Sequence, residues 1–274
     1  MVNEVRELWQ YRHMVWMLVV RDIKARYRNS LLGVTWSFLQ PLAMMLVMTF
    51  VFTKVTIVSG SEKIQSPQVF ILSGILAWNM FSATILTCTN SIVINAAIVK
   101  KVYFPRVVLP IAAGVSAMVN YALSLPVFFL VTVLSGWPLH ITLLMVPVAA
   151  LIQFVFSIGI GMLLGTVNVF YRDTGFIVEL GMLALYFLTP IFYDINAVAA
   201  QPVILPLVGS IDPAVWLRRL NPMASIVNIY QDAMYKGQPT TVDFWLRTAL
   251  TAVVIFIVGY LVFRRYSPRF GEEI

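Results

Sequence analysis

Six stretches of this chain are apolar for about the length needed to cross a bilayer, roughly 20 residues. They fall at about Val34–Ile57, Val69–Ile94, Val107–Leu134, Ile141–Val169, Phe176–Tyr193 and Phe244–Phe263, spread from one end of the sequence to the other. Hydrocarbon supplies no partner for a backbone N–H or C=O, so single apolar runs of this length have to form helices. Only 11% of the 274 residues are charged and 60% are hydrophobic, against about a quarter charged in an ordinary soluble domain. The sequence therefore predicts an all-α integral membrane protein: a cytoplasmic segment over residues 1–30 and a six-helix transmembrane domain over residues 31–274.

Charge sets the orientation. An even number of spans leaves both ends on one side, and that side collects Arg6, Arg12, Arg21, Lys24, Arg26, Arg28, Lys100, Lys101, Arg106, Arg172, Arg264, Arg265 and Arg269. The other side holds Lys54, Lys63, Arg218, Arg219, Lys236 and Arg247. The positive-inside rule places both termini in the cytoplasm, in a cytoplasmic (inner) membrane. A net charge of +7 could by itself suggest nucleic acid, but these cations flank apolar runs and form no soluble aromatic face, so nucleic acid is excluded and membrane lipid is the expected partner. The start of the chain lacks the short apolar core and small-residue cleavage site of a removable signal.

The first segment is charged, yet it runs directly into the first span as "VVRDIKARYRNSLLGVTWSFLQPL" (Val19–Leu42). On a helical wheel Val5, Leu8, Trp9, Trp16, Val19, Val20, Ile23 and Tyr27 share a face, with Arg6, Arg21, Lys24 and Arg28 elsewhere, which predicts an amphipathic helix in the cytoplasmic interface. Two roles stand open for it: a surface anchor, or a mechanical element that meets a cytoplasmic partner and moves the first span. Pro41, within that span, predicts a kink that either lines a pathway or packs.

Two short cytoplasmic loops carry candidate contact residues. "NAAIVKKVYFPRVVLP" predicts a short helix before Pro105 with Lys100 and Lys101 exposed beside the apolar Val102, Tyr103 and Phe104, and "NVFYRDTGF" places Tyr171, Arg172 and Asp173 between the fourth and fifth spans. Both are readable as positive-inside anchoring or as projections that fit a groove on another protein. Ser157, Gly161 and Gly165, with Gly159 nearby, predict close helix approach, within the subunit or across a dimer seam. Before the last span, Asp212-Pro213 and Asn221-Pro222 each carry a cap followed by proline at the first helical position. They predict two short external helices within about 212–236, the second with an apolar stripe of Met223, Ile226, Val227, Tyr230, Ala233 and Met234, dipping into the outer leaflet or capping a pore.

No catalytic constellation emerges. Cys88 is the single cysteine, and His13 and His140 have no second ligand at metal spacing, so neither a disulfide within the chain nor a metal site is expected. "GIGMLLGT" lacks the lysine a nucleotide-binding loop needs. The sparse intramembrane acids, with Glu179 read as an interface residue that could pair with Arg172, argue against an ion-coupled carrier. The aromatic residues Phe38, Trp78, Phe81, Tyr186, Phe187, Phe192 and Tyr193 are either packing and belt residues or rings facing a channel, where flat apolar surfaces let sugars slide.

Four ordered motifs carry a resemblance over nearly the whole chain: the Val19–Leu42 stretch, "KVYFPRVVLP", "VFYRDTGFIVEL", and "FLTPIFYD" followed by "LNPMASIVNIYQDAMY". They resemble the membrane (permease) subunits of type-2 ABC transporters, most closely the branch exporting lipid-linked polysaccharide such as O-antigen, capsule or teichoic acid. The resemblance implies a homodimer over two copies of a separate ATP-binding subunit, which would hold ATP and Mg, with no cofactor in this chain. It implies that Arg21, Lys24, Arg26, Tyr27 and Arg28 belong to an interface or gate helix, that Lys100 to Phe104 dock in the ATPase, and that Tyr171 to Asp173 form a second contact. The implied cargo is a glycan on polyprenyl diphosphate, entering between the first and fifth spans, with Arg26 and Arg28 near its diphosphate. A drug or short lipid as cargo, or an integral membrane enzyme of envelope glycan synthesis, is the alternative.

Overall fold

The computed structural model describes residues 9–28, 30–55, 64–195, 203–205, 209–211 and 221–274. A helix α1 (Arg12–Tyr27) leads through a 3-10 turn at Gly33–Thr35 into α2 (Trp36–Phe50), which continues as a π-helical turn over Val51–Val55. Then follow α3 (Pro67–Ile94), the short α4 (Ala96–Lys101), α5 (Val108–Leu134), and α6 (Val146–Phe170) behind a 3-10 turn at Ile141–Met145. The chain closes with α7 (Thr174–Leu188), strands β1 (Val203–Leu205) and β2 (Gly209–Ile211), α8 (Pro222–Gln231) with a π-helical turn over Asp232–Lys236, α9 (Val242–Tyr266) and α10 (Phe270–Glu273). Among the described residues five helical stretches are long and apolar enough to cross a membrane: Gly33–Thr53, Pro67–Ile94, Val108–Leu134, Ile141–Phe170 and Val242–Glu273.

The fifth apolar run differs from the expected span. Its helix stops at Leu188 rather than reaching Tyr193, because Pro190 disfavours the helical conformation at Thr189, which is extended (φ −93°, ψ 136°). Phe192 and Tyr193 therefore lie beyond α7. The two strands pair antiparallel, Val203 opposite Ile211 and Leu205 opposite Gly209. Run length and capping signals predict no strand there, although the β-branched Val203, Ile204 and Ile211 suit one. The first of the two expected external helices, beginning at Asp212, lies outside the described residues, as do Val5 and Leu8 of the N-terminal stripe.

α3 is the axis of the bundle. From Val69 to Ala77 every residue is buried, and the helix packs on α5, α6, α2 and α8. Lipid tails are as apolar as the side chains themselves, so such contacts rest on close van der Waals fit rather than on escape from water. Small residues provide that fit. A Cβ built on Gly161 would stand 2.5 Å from the Cys88 Cβ, and one on Gly165 3.0 Å from the Cys88 carbonyl oxygen. On the other side of α6, a Cβ on Gly159 would lie 2.6 Å from the Phe256 Cα, and one on Gly259 would collide with the Gly159 carbonyl. The glycines thus seat α6 between α3 and α9 inside one subunit. All three helices run in the same direction, with Ala77 beside Gln153 and Cys88 beside Gly161.

A second core closes the end of the bundle that carries both described chain ends. Leu18 and Val19 of α1, Phe104, Val108 and Leu109 meet Phe263 and Phe270 there. The stripe read as one face of α1 is divided: Val19 is buried against the bundle, whereas Trp9 and Trp16 stand exposed. α1 runs alongside α5, which takes the flank bearing Leu18 and Val19 and leaves the tryptophans on open surface.

Gly259→Ala is expected to lower the stability of the detergent-solubilised chain by about 1–3 kcal/mol, the usual cost of overpacking. Gly181→Ala, inside α7 where an added Cβ meets nothing within 4 Å, should hold or slightly raise the thermal midpoint, since alanine is the better helix former. Equal midpoints for the two variants would show that the α6–α9 contact does not depend on the missing side chain.

Candidate functional site

At the basic end, α4 hangs between α3 and α5 with Val99 and Phe104 buried in the second core. The Asn95 side-chain amide holds the preceding turn by donating to the Ser91 carbonyl at 2.8 Å. With both anchors inward, Lys100, Lys101, Val102 and Tyr103 project outward, and Tyr103 is 99% exposed. Phe104, grouped with them from the sequence, belongs to the anchor instead, since it precedes Pro105 where the chain turns back into the core. Beside this loop, α10 lies against α4 and α6, with Phe270 held edge-on by Phe170 and Phe263.

The second projection is set by Asn168. Its Nδ2 donates to the Thr89 carbonyl (3.0 Å) and to Asn90 Oδ1 (3.2 Å), and its Oδ1 accepts from the Gly175 amide (3.1 Å), tying α6 to α3 and fixing the start of α7. Tyr171, Arg172 and Asp173 stand exposed at that corner. Glu179 is exposed one turn further on, and among the described residues no ion pair joins it to Arg172.

α1 meets α2 at a polar node that the sequence patterns do not reveal. Asn120 Oδ1, on α5, accepts from the Tyr27 hydroxyl (2.5 Å) and from Ser37 Oγ (3.0 Å), which brings the Tyr27 and Ser37 hydroxyls against each other. Ser124 Oγ donates to the Ser37 carbonyl at 3.0 Å. Of the remaining residues assigned to this helix, Arg21, Lys24, Arg26 and Arg28 are exposed, and Arg21 pairs with Asp22 at 2.8 Å. The available signal was Asn120 itself: an amide inside an apolar run is costly in a membrane unless bonded or used. Pro41 is buried among α2's neighbours.

At the opposite end, the two last motifs of the sequence meet in space. The Asn221 side chain caps α8 by accepting from the Met223 amide (3.1 Å), as Asn221-Pro222 predicts, and its Nδ2 donates to Thr189 Oγ1 (2.9 Å). Gln231 Nε2 donates to the Pro190 carbonyl (2.9 Å) and reaches that of Ile191 (3.4 Å). Lys236 then bridges Asp194 (3.0 Å) and Asp232 (3.3 Å). Burial pushes the Asp232 carboxyl up, against the pull of Lys236. Burial also pulls the Lys236 ammonium down, but Asp232 and Asp194 more than offset it, and its pKa lies above the ordinary value. The expected stripe of α8 is buried, and so are Ala224, Asn228, Ile229 and Gln231, so this helix does not lie on a leaflet but sits inside the bundle against α3, α6 and α9.

The aromatic residues divide. Trp78, Phe81 and Tyr186 are buried in one cluster, Trp78 centred 5.4 Å from Phe81 and 5.5 Å from Tyr186, with Phe192 5.1 Å from Tyr186 and stacked on Phe52. Phe187 is exposed, and Phe38 and Tyr193 are half-buried.

A bundle of span-length apolar helices is the architecture of an integral membrane protein. Its sequence matches the family described as "ABC-2 type transporter" over residues 13–235, and the chain belongs to that family. It is 32% identical to the O-antigen export system permease protein RfbA of Myxococcus xanthus over 279 residues, covering 100% of both chains. Two proteins of the same name from Klebsiella pneumoniae are 27% and 26% identical over 92% of this chain and 91% of their own. The chain is a membrane transport subunit, and membership of this family implies an ATP-binding partner.

Gln231→Leu should strip the Pro190 and Ile191 carbonyls of their donor. Thermal unfolding is expected to show a loss of about 1–3 kcal/mol, with faster amide exchange across 189–195. Unchanged exchange there would mean that α8 does not hold the end of α7.

Proposed function

We propose that this chain is the permease subunit of an ATP-driven exporter of O-antigen, carried on a polyprenyl diphosphate across the inner membrane. The observation that carries this reading is the end-to-end similarity to a protein named as an O-antigen export permease, with no part of either chain left over. Two copies of the chain work with two ATP-binding subunits, which hold ATP and Mg. The open apolar face of α7, with Phe176, Leu180, Leu183 and Phe187 exposed, supports a second copy beside it. The crowding of cations at the end bearing α4 supports a cytoplasmic position for that end and for both termini.

In this reading Lys100, Lys101, Val102 and Tyr103 enter a groove of the ATPase, Phe104 and Val99 carry the load into the core, and Tyr171, Arg172 and Asp173 make the second contact. Arg21, Lys24, Arg26, Tyr27 and Arg28 pass movement to α2 through the Tyr27–Ser37–Asn120 node. Phe38, Phe187 and Tyr193 are the rings open to a passage formed with the second copy, and Trp78, Phe81 and Tyr186 shape its wall from within.

Replacing Lys100, Lys101 and Tyr103 together by Ala should leave the chain inserted at its normal level. Losing an interface aromatic with its flanking charges removes on the order of 2 kcal/mol or more, so surface glycan and stimulated ATP hydrolysis should fall about tenfold or further. Normal export by that variant would remove the docking assignment. Deleting the chain should trap lipid-linked glycan inside the cell, and surface O-antigen that persists would remove the cargo assignment.

A further inference from the structure

The two projections at the basic end leave the bundle from different helices, α4 behind α3 and the Tyr171–Asp173 corner between α6 and α7. Neither can hold its own shape. α4 has six residues, and a helix shorter than about 12 residues is marginal in water on its own hydrogen bonds. Its place has to come from what packs behind it.

Two polar links fasten both projections to the end of α3. Asn95 turns the chain from α3 into α4 through its bond to the Ser91 carbonyl, and Asn168 ties the α6–α7 corner to Thr89 and Asn90. Thr89, Asn90 and Ser91 all lie in the last two turns of α3. The inward side of α4, bearing Val99, and the following Phe104 share a core with α10. Phe270 is fully buried there, its ring centred 5.2 Å from Phe263 and 6.3 Å from Phe170, the residue before Tyr171. α10 touches both α4 and α6. It also meets the loop returning from α4 to α5, since a Cβ on Gly271 would stand 3.2 Å from Arg106 Nη2. Arg106 Nη1 is buried with no hydrogen-bond partner among the described residues, so packing rather than pairing holds that side chain. α10 itself is the four residues FGEE. It offers one apolar side chain to the core, so Phe270 is what seats it.

We propose that Phe270 is a positioning residue for the coupling to ATP hydrolysis: by seating α10 against α4 and α6 it braces the two projections into one rigid platform. This rests on the docking of α4 and the α6–α7 corner on an ATP-binding partner and goes beyond it, since Phe270 is buried and touches no partner. Load received at Tyr103 enters the core through Phe104 and Val99, crosses the Phe270 ring to Phe170, and arrives at the start of α7. Both contacts then advance together. Close-packed rings suit that task because interiors of crystal-like density transmit strain.

Hydrogen exchange and ATP hydrolysis of the full chain in complex with its ATP-binding partner, held in lipid nanodiscs, test it with three variants. Phe270→Ala removes the brace, and Phe270→Leu keeps most of its apolar volume. Phe128→Ala empties an equally buried site in the other core, roughly 30 Å along α5 from Val108. Both alanine variants should lower the thermal midpoint, since each leaves a cavity. Only Phe270→Ala should speed amide exchange, about tenfold or more, over 96–104 and 168–175 together. It should also lower stimulated hydrolysis about tenfold, with Phe270→Leu restoring most of both. Faster exchange over 96–104 alone, or the same loss of hydrolysis in Phe128→Ala, overturns the inference. So does hydrolysis unchanged in Phe270→Ala when replacing Lys100, Lys101 and Tyr103 abolishes it. Hydrolysis left normal by that triple replacement instead removes the docking assignment, and the exchange pattern still decides whether the brace exists.

Discussion

Within hydrocarbon every backbone polar group has to find its partner inside the protein, and the fold is arranged around the one place where a helix gives that up early. Pro190 ends α7 after fifteen residues, too few to cross, and sets the Pro190 and Ile191 carbonyls free within the bundle. Gln231 and Asn221 reach them or the adjoining Thr189 from α8. That demand explains why so short a helix as α8 is buried almost all round. It also explains why the turn beyond α8 is pinned to Asp194 through Lys236. The break in α7 and the inserted α8 are one structural unit.

Close packing sorts the remaining helices into two kinds. α3, α6 and α9 approach through Gly161, Gly165, Gly159 and Gly259, and at such distances they have no room to slide. α2 and α7 touch the rest of the bundle more sparsely than α3, α6 and α9 touch one another, through Ser37, Pro41 and Met45 of α2 and Thr174, Val178, Met182 and Tyr186 of α7. A transporter needs elements that stay and elements that move, and the peripheral position of α2 and α7 suits them to the second role. Both begin beside the segments we propose meet the ATP-binding partner, α2 after α1 and α7 after Asp173.

Much of this was legible in the sequence. Apolar run length pointed to the membrane class and the helices, the cap-proline pair at Asn221 marked the start of α8, and the small residues of α6 signalled its close neighbours. Pro190 was equally readable as a stop, since proline restricts the residue before it, but hydropathy continues unbroken through Ile191 and Phe192 and conceals it. The inward turn of Phe104 and the burial of Trp78, Phe81 and Tyr186 follow from the path of the chain around them, which composition does not encode. The Tyr27–Asn120 bond joins residues 93 positions apart. A single sequence shows only that an asparagine sits where an apolar residue is expected, and the hydroxyls that meet it come from two other helices.

That node has a mechanical consequence. Tyr27 at the end of α1 and Ser37 at the start of α2 share one acceptor, so a tilt of either helix would pivot about nearly the same point on α5. From Ser37 to the π-helical turn at Val55, α2 extends on the order of 27 Å at a rise of about 1.5 Å per residue. A tilt of about 10° about that fulcrum would carry the far end of α2 roughly 5 Å, enough to separate packed helices by the width of a side chain. Leverage of this kind would turn a small displacement at the basic end into a wide one at the other, and it would need no unfolding of the helices between.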